Sequence, residues 1–190
     1  METSILFCIK DPIPFIVIGG TSGIGKTSIL DFLLNKYPDF FEQPVSYTSR
    51  ERRNETDRYI FVSKDEMISL NKNGDFINFD EVHGDFYGIK KYEIDRIKML
   101  NKIPIKEIHP NNFYKFSDKR FSTVAIIVES KHDNQNTLPH VQRSDRPQED
   151  FKATICDFKL NVSNLNIEES AQHLIKKLLS YKIHLSLFPH

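Results

Sequence analysis

The 190-residue sequence has no tryptophan, only two cysteines and no net charge. Cys8 and Cys156 are too few for a disulfide framework and lack metal-ligand spacing, which favours reducing intracellular conditions. Because 26 basic residues are matched by 26 acidic ones, binding to nucleic acid through a strongly basic surface is not expected. The sequence has no apolar run of membrane-spanning length, and its first residues fit neither a secretory signal nor an arginine-rich transit peptide. These absences predict a cytoplasmic protein without a membrane or nucleic-acid partner.

The most informative feature that is present is a glycine-rich segment with the pattern G-x-x-x-x-G-K-T. The apolar run Phe15 to Ile18 before it is typical of a strand buried on both faces, and apolar residues at helical spacing follow it until Pro38. Between a strand and a helix, such a segment curls its backbone N–H groups around phosphate. A turn without a ligand is the alternative. We predict an ATP-binding loop formed by Gly20, Thr21, Ser22, Gly23, Ile24, Gly25, Lys26 and Thr27.

Two side chains of this loop carry chemistry. Lys26 can reach the outer phosphate oxygens and is a predicted catalytic residue, while the Thr27 hydroxyl is placed for a Mg²⁺ ion that accompanies ATP. We expect Lys26 to be exposed when no phosphate is bound.

Strand-like and helix-like segments alternate along the rest of the chain, which is typical of an α/β fold with a parallel sheet. A capping box, Ser63 to Glu66, predicts the start of a helix that ends near Gly74. We predict one domain, with a core at 1–43, 96–128 and 150–190, an inserted β-rich lobe at 44–95 and a short lid at 129–149.

The predicted strands after the loop are Val45 to Thr48, Tyr59 to Val62, Phe76 to Val82, Ile103 to Ile108, Val124 to Val128 and Phe158 to Val162. Helices are predicted at Tyr92 to Leu100 and around Ile167 to Leu179. A turn is predicted at Gly84 to Gly88.

Several ordered motifs after the loop resemble the guanylate kinase family. That family carries S-x-T-T-R-x-P-R, a tyrosine that opens a strand, an F-[IL]-E run and a G-x-Y-Y-G turn; the matching stretches here are Ser46 to Arg53, Tyr59 to Ser63, Phe76 to Phe79 and Gly84 to Gly88. The resemblance implies a three-layer P-loop nucleoside monophosphate kinase fold. It implies that the acceptor, GMP, is bound by Ser46, Arg50, Arg53, Tyr59, Asn78 and Tyr87.

The sequence departs from the family where the family reads guanine. The glutamate that accepts hydrogen bonds from the guanine N1–H and amino groups is replaced by Asn78, and the serine or threonine that contacts O6 is replaced by Ile89. His109 stands in place of an aspartate that faces the base, while Glu107 keeps an acid and is a predicted metal ligand through water. Loss of a charged acceptor predicts weakened guanine recognition. In the lid, Arg143 and Arg146 are predicted to reach the transferring phosphoryl group.

Two functions of different classes follow from the resemblance. The first is an ATP-dependent kinase that converts ATP and GMP to ADP and GDP, and the second is a catalytically weak module that binds a phosphorylated protein segment in the same arginine site. A GTPase is not expected because the sequence has no N-K-x-D motif. Simpler readings are that Arg50 to Arg58 is only a solvated charged loop and that Tyr87 belongs to the core. We expect Phe76, Phe79 and Phe86 to pack the lobe rather than to stack on a base.

Overall fold

In a computed structural model of the chain, the described residues are 6–9, 13–52, 59–116, 122–130, 156–180 and 185–188. Within them the α-helices are α1 Lys26–Lys36, α2 Lys64–Lys72, α3 Lys91–Met99 and α4 Ile167–Ser180, and a 3-10 helix spans Pro110–Phe116. The strands are β1 Leu6–Ile9, β2 Phe15–Gly20, β3 Phe41–Glu42, β4 Ser46–Thr48, β5 Tyr59–Phe61, β6 Phe76–Val82, β7 Asp85–Lys90, β8 Ile103–Glu107, β9 Thr123–Glu129, β10 Phe158–Asn161 and β11 Leu185–Phe188.

A five-stranded parallel sheet forms the centre of the fold, in the order β10-β9-β2-β8-β3. Every residue of β2 is buried, because the strand has helices on both sides. Ile16 and Ile18 pack on the side of α1 and α4, whereas Phe15 and Val17 pack on the side of α3 and the 3-10 helix. The predicted three-layer α/β fold with a parallel sheet is confirmed.

A second sheet of four strands, in the order β5-β4-β7-β6, lies between α1 and β8 in the sequence. Strands β4 and β5 are parallel, and the other pairs are antiparallel. Helix α2 covers one face of this sheet through Met67, which is fully buried. Phe76, Phe79 and Phe86 pack in the same cluster, as predicted. The division of the chain into core, lobe and lid stays a prediction.

One predicted element is wrong. The segment Gly84 to Gly88 is not a turn, because β7 begins at Asp85 and pairs with β6 up to Lys90. The turn consists of His83 and Gly84, which both have positive φ angles, 53° and 80°. Two such residues make a tight hairpin whose twist matches that of the flanking strands, so the aromatic residues after them belong to a strand.

Four short elements were not predicted: β1, β3, β11 and the 3-10 helix. Strand β1 pairs with β11 in a separate antiparallel ladder, and β3 has only two residues, Phe41 and Glu42, at the edge of the central sheet. Segments this short do not show a clear hydrophobic period. Residues 131–149 of the predicted lid lie outside the described residues.

Candidate active site

The glycine-rich loop joins β2 to α1 in the conformation that an anion site requires. Gly25 occupies the N-cap of α1 with a φ angle of 96°, which is in the left-handed region. Among the described residues, no side chain caps this helix by a hydrogen bond, and its first turn contains no acid. The first backbone N–H groups of α1 and the positive end of its dipole therefore face the loop without a side-chain cap and without an acid from the helix itself.

Lys26 differs from the sequence expectation because it is buried, with 8% of its surface exposed. Its Nζ donates a hydrogen bond to the Thr21 carbonyl oxygen at 2.7 Å and lies 3.5 Å from the Glu107 Oε1. An ammonium group inside a cleft requires partners, and these two oxygens supply them. The loop thus holds its cation in place by contacts with its own backbone and with β8.

Glu107 also contacts the residue after Lys26. The Thr27 hydroxyl donates a hydrogen bond to the Glu107 Oε2 at 2.8 Å, although the two residues are 80 positions apart. They meet because β8 lies beside β2, with Ile18 in register with Glu107. A hydroxyl and a carboxylate at this distance are hard oxygen ligands that fit Mg²⁺, which usually keeps several of its waters.

The small sheet places the predicted acceptor residues on one face. Ser46 lies opposite both Tyr59 and Ile89, and Ile89 lies opposite Asn78. Residues directly opposite one another in neighbouring strands point to the same face, as do residues two apart in one strand, so Tyr87 shares that face. The other face carries the cluster under α2. We call the first face, defined by Ser46, Tyr59, Asn78, Tyr87 and Ile89, the acceptor face.

Arg50 lies at the end of this face, next to two aromatic rings. Its guanidinium carbon is 5.6 Å from the centre of the Tyr59 ring, and the Tyr59 and Tyr87 rings meet edge to face at 6.3 Å. The Arg50 backbone N–H donates to the hydroxyl of Thr48, which is fully buried. The structure thus brings together three of the four residues predicted to hold a monophosphate. The fourth, Arg53, and the predicted lid residues Arg143 and Arg146 lie outside the described residues.

The Asn78 side chain is engaged within the sheet. Its Oδ1 accepts a hydrogen bond from the Ile89 N–H at 3.1 Å, next to a register shift in β6, and its Nδ2 donates to the Asp80 Oδ2 at 2.8 Å. Ile89 is buried against the central sheet. His109 is exposed, and its Nδ1 accepts from the Asn111 N–H at 3.3 Å, so it begins the 3-10 helix.

Asp80 and Lys115 are polar residues beside the acceptor face that the sequence analysis missed. Lys115, from the 3-10 helix, forms an ion pair with the Asp80 Oδ1 and donates to the Phe79 carbonyl oxygen at 3.4 Å. The side chains of Asp80 and Lys115 are only 14% and 22% exposed. The alternation of β6 could have placed Asp80 beside Asn78, but no local pattern indicates Lys115.

A buried carboxylate joins helix α3 to the backbone just before the small sheet. Glu93 of α3 accepts hydrogen bonds from the Val45 N–H and from Arg96, both at 3.2 Å. Burial by itself would raise the pKa of Glu93, but these hydrogen bonds outweigh it and lower the pKa below its usual value. Nearby, the buried Lys106 Nζ donates to the Pro44 carbonyl oxygen at 3.2 Å.

Comparison with known proteins identifies the family. A family model described as guanylate kinase matches residues 13–181. The chain belongs to the guanylate kinase family. It is 29% identical over 170 residues to a guanylate kinase of Chlamydia felis, with 83% of each chain covered. It is 33% identical over 115 residues to a guanylate kinase of Clostridium perfringens, which covers 60% of this chain and 53% of that protein.

Solved structures of other proteins share the fold. The crystal structure of a guanylate kinase from Anaplasma phagocytophilum has a TM-score of 0.64 and 23% identity, and covers 93% of this chain and 89% of that one. The SH3-kinase fragment of tight junction protein 3 has a TM-score of 0.53 and 10% identity, and covers 99% and 65%.

As a member of this family, the protein is an ATP-dependent nucleoside monophosphate kinase, as predicted. The alternative of a phosphoprotein-binding module is not favoured. Among the described residues, no helix has the length and apolar character to cross a membrane.

Proposed function

We propose that this kinase transfers the γ-phosphoryl group of ATP to GMP, with the donor in the loop between β2 and α1 and the acceptor on the acceptor face. The observation that carries the proposal is that one chain has two candidate anion sites. The first is the uncapped N-terminus of α1 with Lys26, and the second is the group of Arg50, Tyr59 and Tyr87. Phosphoryl transfer requires two such anion sites, because its catalysis consists mostly of positioning and charge stabilisation. We also propose that the kinase acts in the cytoplasm.

On the donor side, the loop N–H groups and Lys26 bind the phosphate oxygens of ATP. Lys26 gives up its contact with Glu107 in favour of the more highly charged phosphates, and its charge stabilises the transferring group. Thr27 and Glu107 are the residues that would hold Mg²⁺, the first directly and the second through water. When bound, this ion neutralises charge on the phosphates.

On the acceptor side, Arg50 binds the monophosphate with its guanidinium group, which is held over the Tyr59 ring. The Tyr59 and Tyr87 hydroxyls add hydrogen bonds, and Arg53 supplies a second guanidinium. Ser46 and Asn78 lie further along the same face, toward the base. Arg143 and Arg146 are proposed to reach the transferring group from the lid.

A coupled assay of ADP formation tests the proposal. Wild-type protein with ATP and Mg²⁺ is given GMP, dGMP, AMP, CMP or UMP in turn. We expect the highest kcat/KM with GMP. A protein that forms no diphosphate from any of these acceptors would contradict the proposal, and a protein that prefers another base would contradict the acceptor only.

A further inference from the structure

The loss of the family's glutamate at position 78 does not remove negative charge from the acceptor face. The Asp80 Oδ2 lies 2.8 Å from the Asn78 Nδ2, so a carboxylate lies one hydrogen bond away from the end of the Asn78 side chain. Asp80 also lies opposite Tyr87 in the β6–β7 ladder and shares its face. The carboxylate therefore lies beside both the predicted base residue and a predicted phosphate residue.

The Asn78 amide is fixed in one orientation by its two partners. The Ile89 N–H can only donate, so it requires Oδ1, and the Asp80 carboxylate can only accept, so it requires Nδ2. One N–H and one lone pair of the amide remain. Guanine presents two adjacent donors, N1–H and the amino group, and a single amide with one remaining acceptor site cannot satisfy both.

Asp80 has more hydrogen-bond acceptor positions than Asn78. An ionised carboxylate has about four acceptor positions, and the contacts described use one on each oxygen, to Lys115 and to Asn78. Lys115 comes from the 3-10 helix and also binds the Phe79 carbonyl oxygen, so it orients the carboxylate from the side of the central sheet. With both side chains mostly buried, this orientation is restricted.

We infer that Asp80 is the base-reading residue of this kinase, which accepts hydrogen bonds from guanine N1–H and the amino group in place of the acid absent at position 78. Lys115 and Asn78 are positioning residues that hold the Asp80 carboxylate. The inference rests on the proposed function, because it concerns the acceptor of the same reaction.

The test compares GMP with IMP, which keeps N1–H but lacks the amino group. For the wild type we expect kcat/KM to be about tenfold or more higher with GMP, since a hydrogen bond to a charged group is lost with IMP. In Asp80→Asn, which keeps the shape but not the charge, the KM for GMP rises and the ratio of GMP to IMP falls toward one. The KM for ATP stays unchanged.

Glu81→Gln is the matched control. Glu81 is the next residue of β6, is exposed, and lies opposite Phe86 on the other face. This variant should keep the wild-type ratio. A role of Asp80 in stability alone would lower turnover of GMP and IMP equally, so an Asp80→Asn protein with the wild-type ratio would overturn the inference.

Two further measurements keep the test independent of variant folding and of the proposed function. Wild-type protein that uses GMP and IMP equally would overturn the inference without any substitution. If the wild type transfers no phosphoryl group at all, the proposed function fails. Calorimetric binding of GMP and IMP then tests the base site separately. Tighter binding of GMP than of IMP that is lost in Asp80→Asn supports the inference, and equal binding of the two nucleotides overturns it.

Discussion

Lys26 is held by contacts within the protein at the place where we propose that it binds the donor phosphates. Its ammonium group is buried and bound to the Thr21 carbonyl oxygen and Glu107. These partners hold the charge at the mouth of the uncapped α1 helix before any nucleotide binds. If Lys26 binds the donor phosphates as proposed, it exchanges its contact with Glu107 for the phosphate oxygens.

We expect Lys26→Met to lower kcat about 10²- to 10³-fold, since the apolar stem is kept and the charge on the transferring group is lost. Steady-state kinetics with ATP and GMP measure this, and Lys36→Met is the control, because Lys36 lies on the same helix in an exposed pair with Glu168. Near wild-type turnover in Lys26→Met would mean that the loop does not bind the donor phosphates.

For Arg50→Lys we expect a higher KM for GMP together with a lower kcat, because lysine keeps the charge but cannot bind phosphate with two parallel hydrogen bonds. The KM for ATP should not change. Arg52→Lys is the matched control: Arg52 is exposed and lies 4.9 Å from the Phe61 ring. Equal weakening of ATP binding by Arg50→Lys would place Arg50 on the donor side instead.

At the scale of elements, the small sheet packs under α2 with one face and carries the predicted acceptor residues on the other. The acceptor face carries the polar residues, and α2 covers the other face through Met67. The helix begins at Ser63, whose hydroxyl accepts from the Glu66 N–H at 3.1 Å. We therefore expect a change in the cap of α2 to affect stability and not the predicted acceptor contacts, which lie on the opposite side of the strands.

Ser63→Ala should lower the free energy of unfolding by about 1 kcal/mol, because the first turn of α2 loses its cap. Urea unfolding measures the change, and the KM for GMP should stay at its wild-type value. Ser69→Ala, at an exposed interior position of the same helix, is the control and should not destabilise the protein. Equal effects of the two substitutions would contradict the capping role of Ser63.

At the scale of the whole molecule, buried polar contacts join the two sheets where the chain passes between them. Glu93 binds the Val45 N–H, and Lys106 binds the Pro44 carbonyl oxygen. Both contacts satisfy backbone groups just before β4. The glycine-rich loop follows a strand of the central sheet and the acceptor face belongs to the small sheet, so these contacts lie between the two predicted sites.

Glu93→Gln should lower the free energy of unfolding by about 1–2 kcal/mol at neutral pH, since the charged partner of the partly exposed Arg96 is lost. The pKa of Glu93 is lowered in the folded state, so its stabilising effect is present above the unfolded pKa and is lost as pH falls through the folded one. The difference between variant and wild type should shrink as pH falls below the pKa of an unfolded glutamate, about 4.3.

Urea unfolding of the wild type and of Glu93→Gln, from neutral pH to below that pKa, measures this difference in stability. Glu168→Gln, which breaks an exposed pair, should cost at most about 1 kcal/mol. A difference for Glu93→Gln that does not depend on pH would mean that the carboxylate charge is not the source of the stability.

The sequence by itself indicated the donor loop, the order of the main strands and helices, and an arginine site at the exit of a strand, of which Arg50 lies in the described part of the chain. These follow from local patterns: glycine spacing, hydrophobic period and helix caps act over a few neighbouring residues. The family resemblance added Tyr59 and Tyr87 and the role of each residue, and these stay predictions. The comparisons support the family itself.

Only the tertiary structure decided the polar surroundings of those residues. Asp80 and Lys115 are 35 positions apart, and Thr27 and Glu107 are 80 apart. Whether such side chains meet depends on which strands are neighbours and on their register, and a one-residue change of register would turn Asp80 to the other face. The contacts of Lys26 with Glu107 and of Asp80 with Lys115 both result from this long-range pairing, which no local pattern encodes.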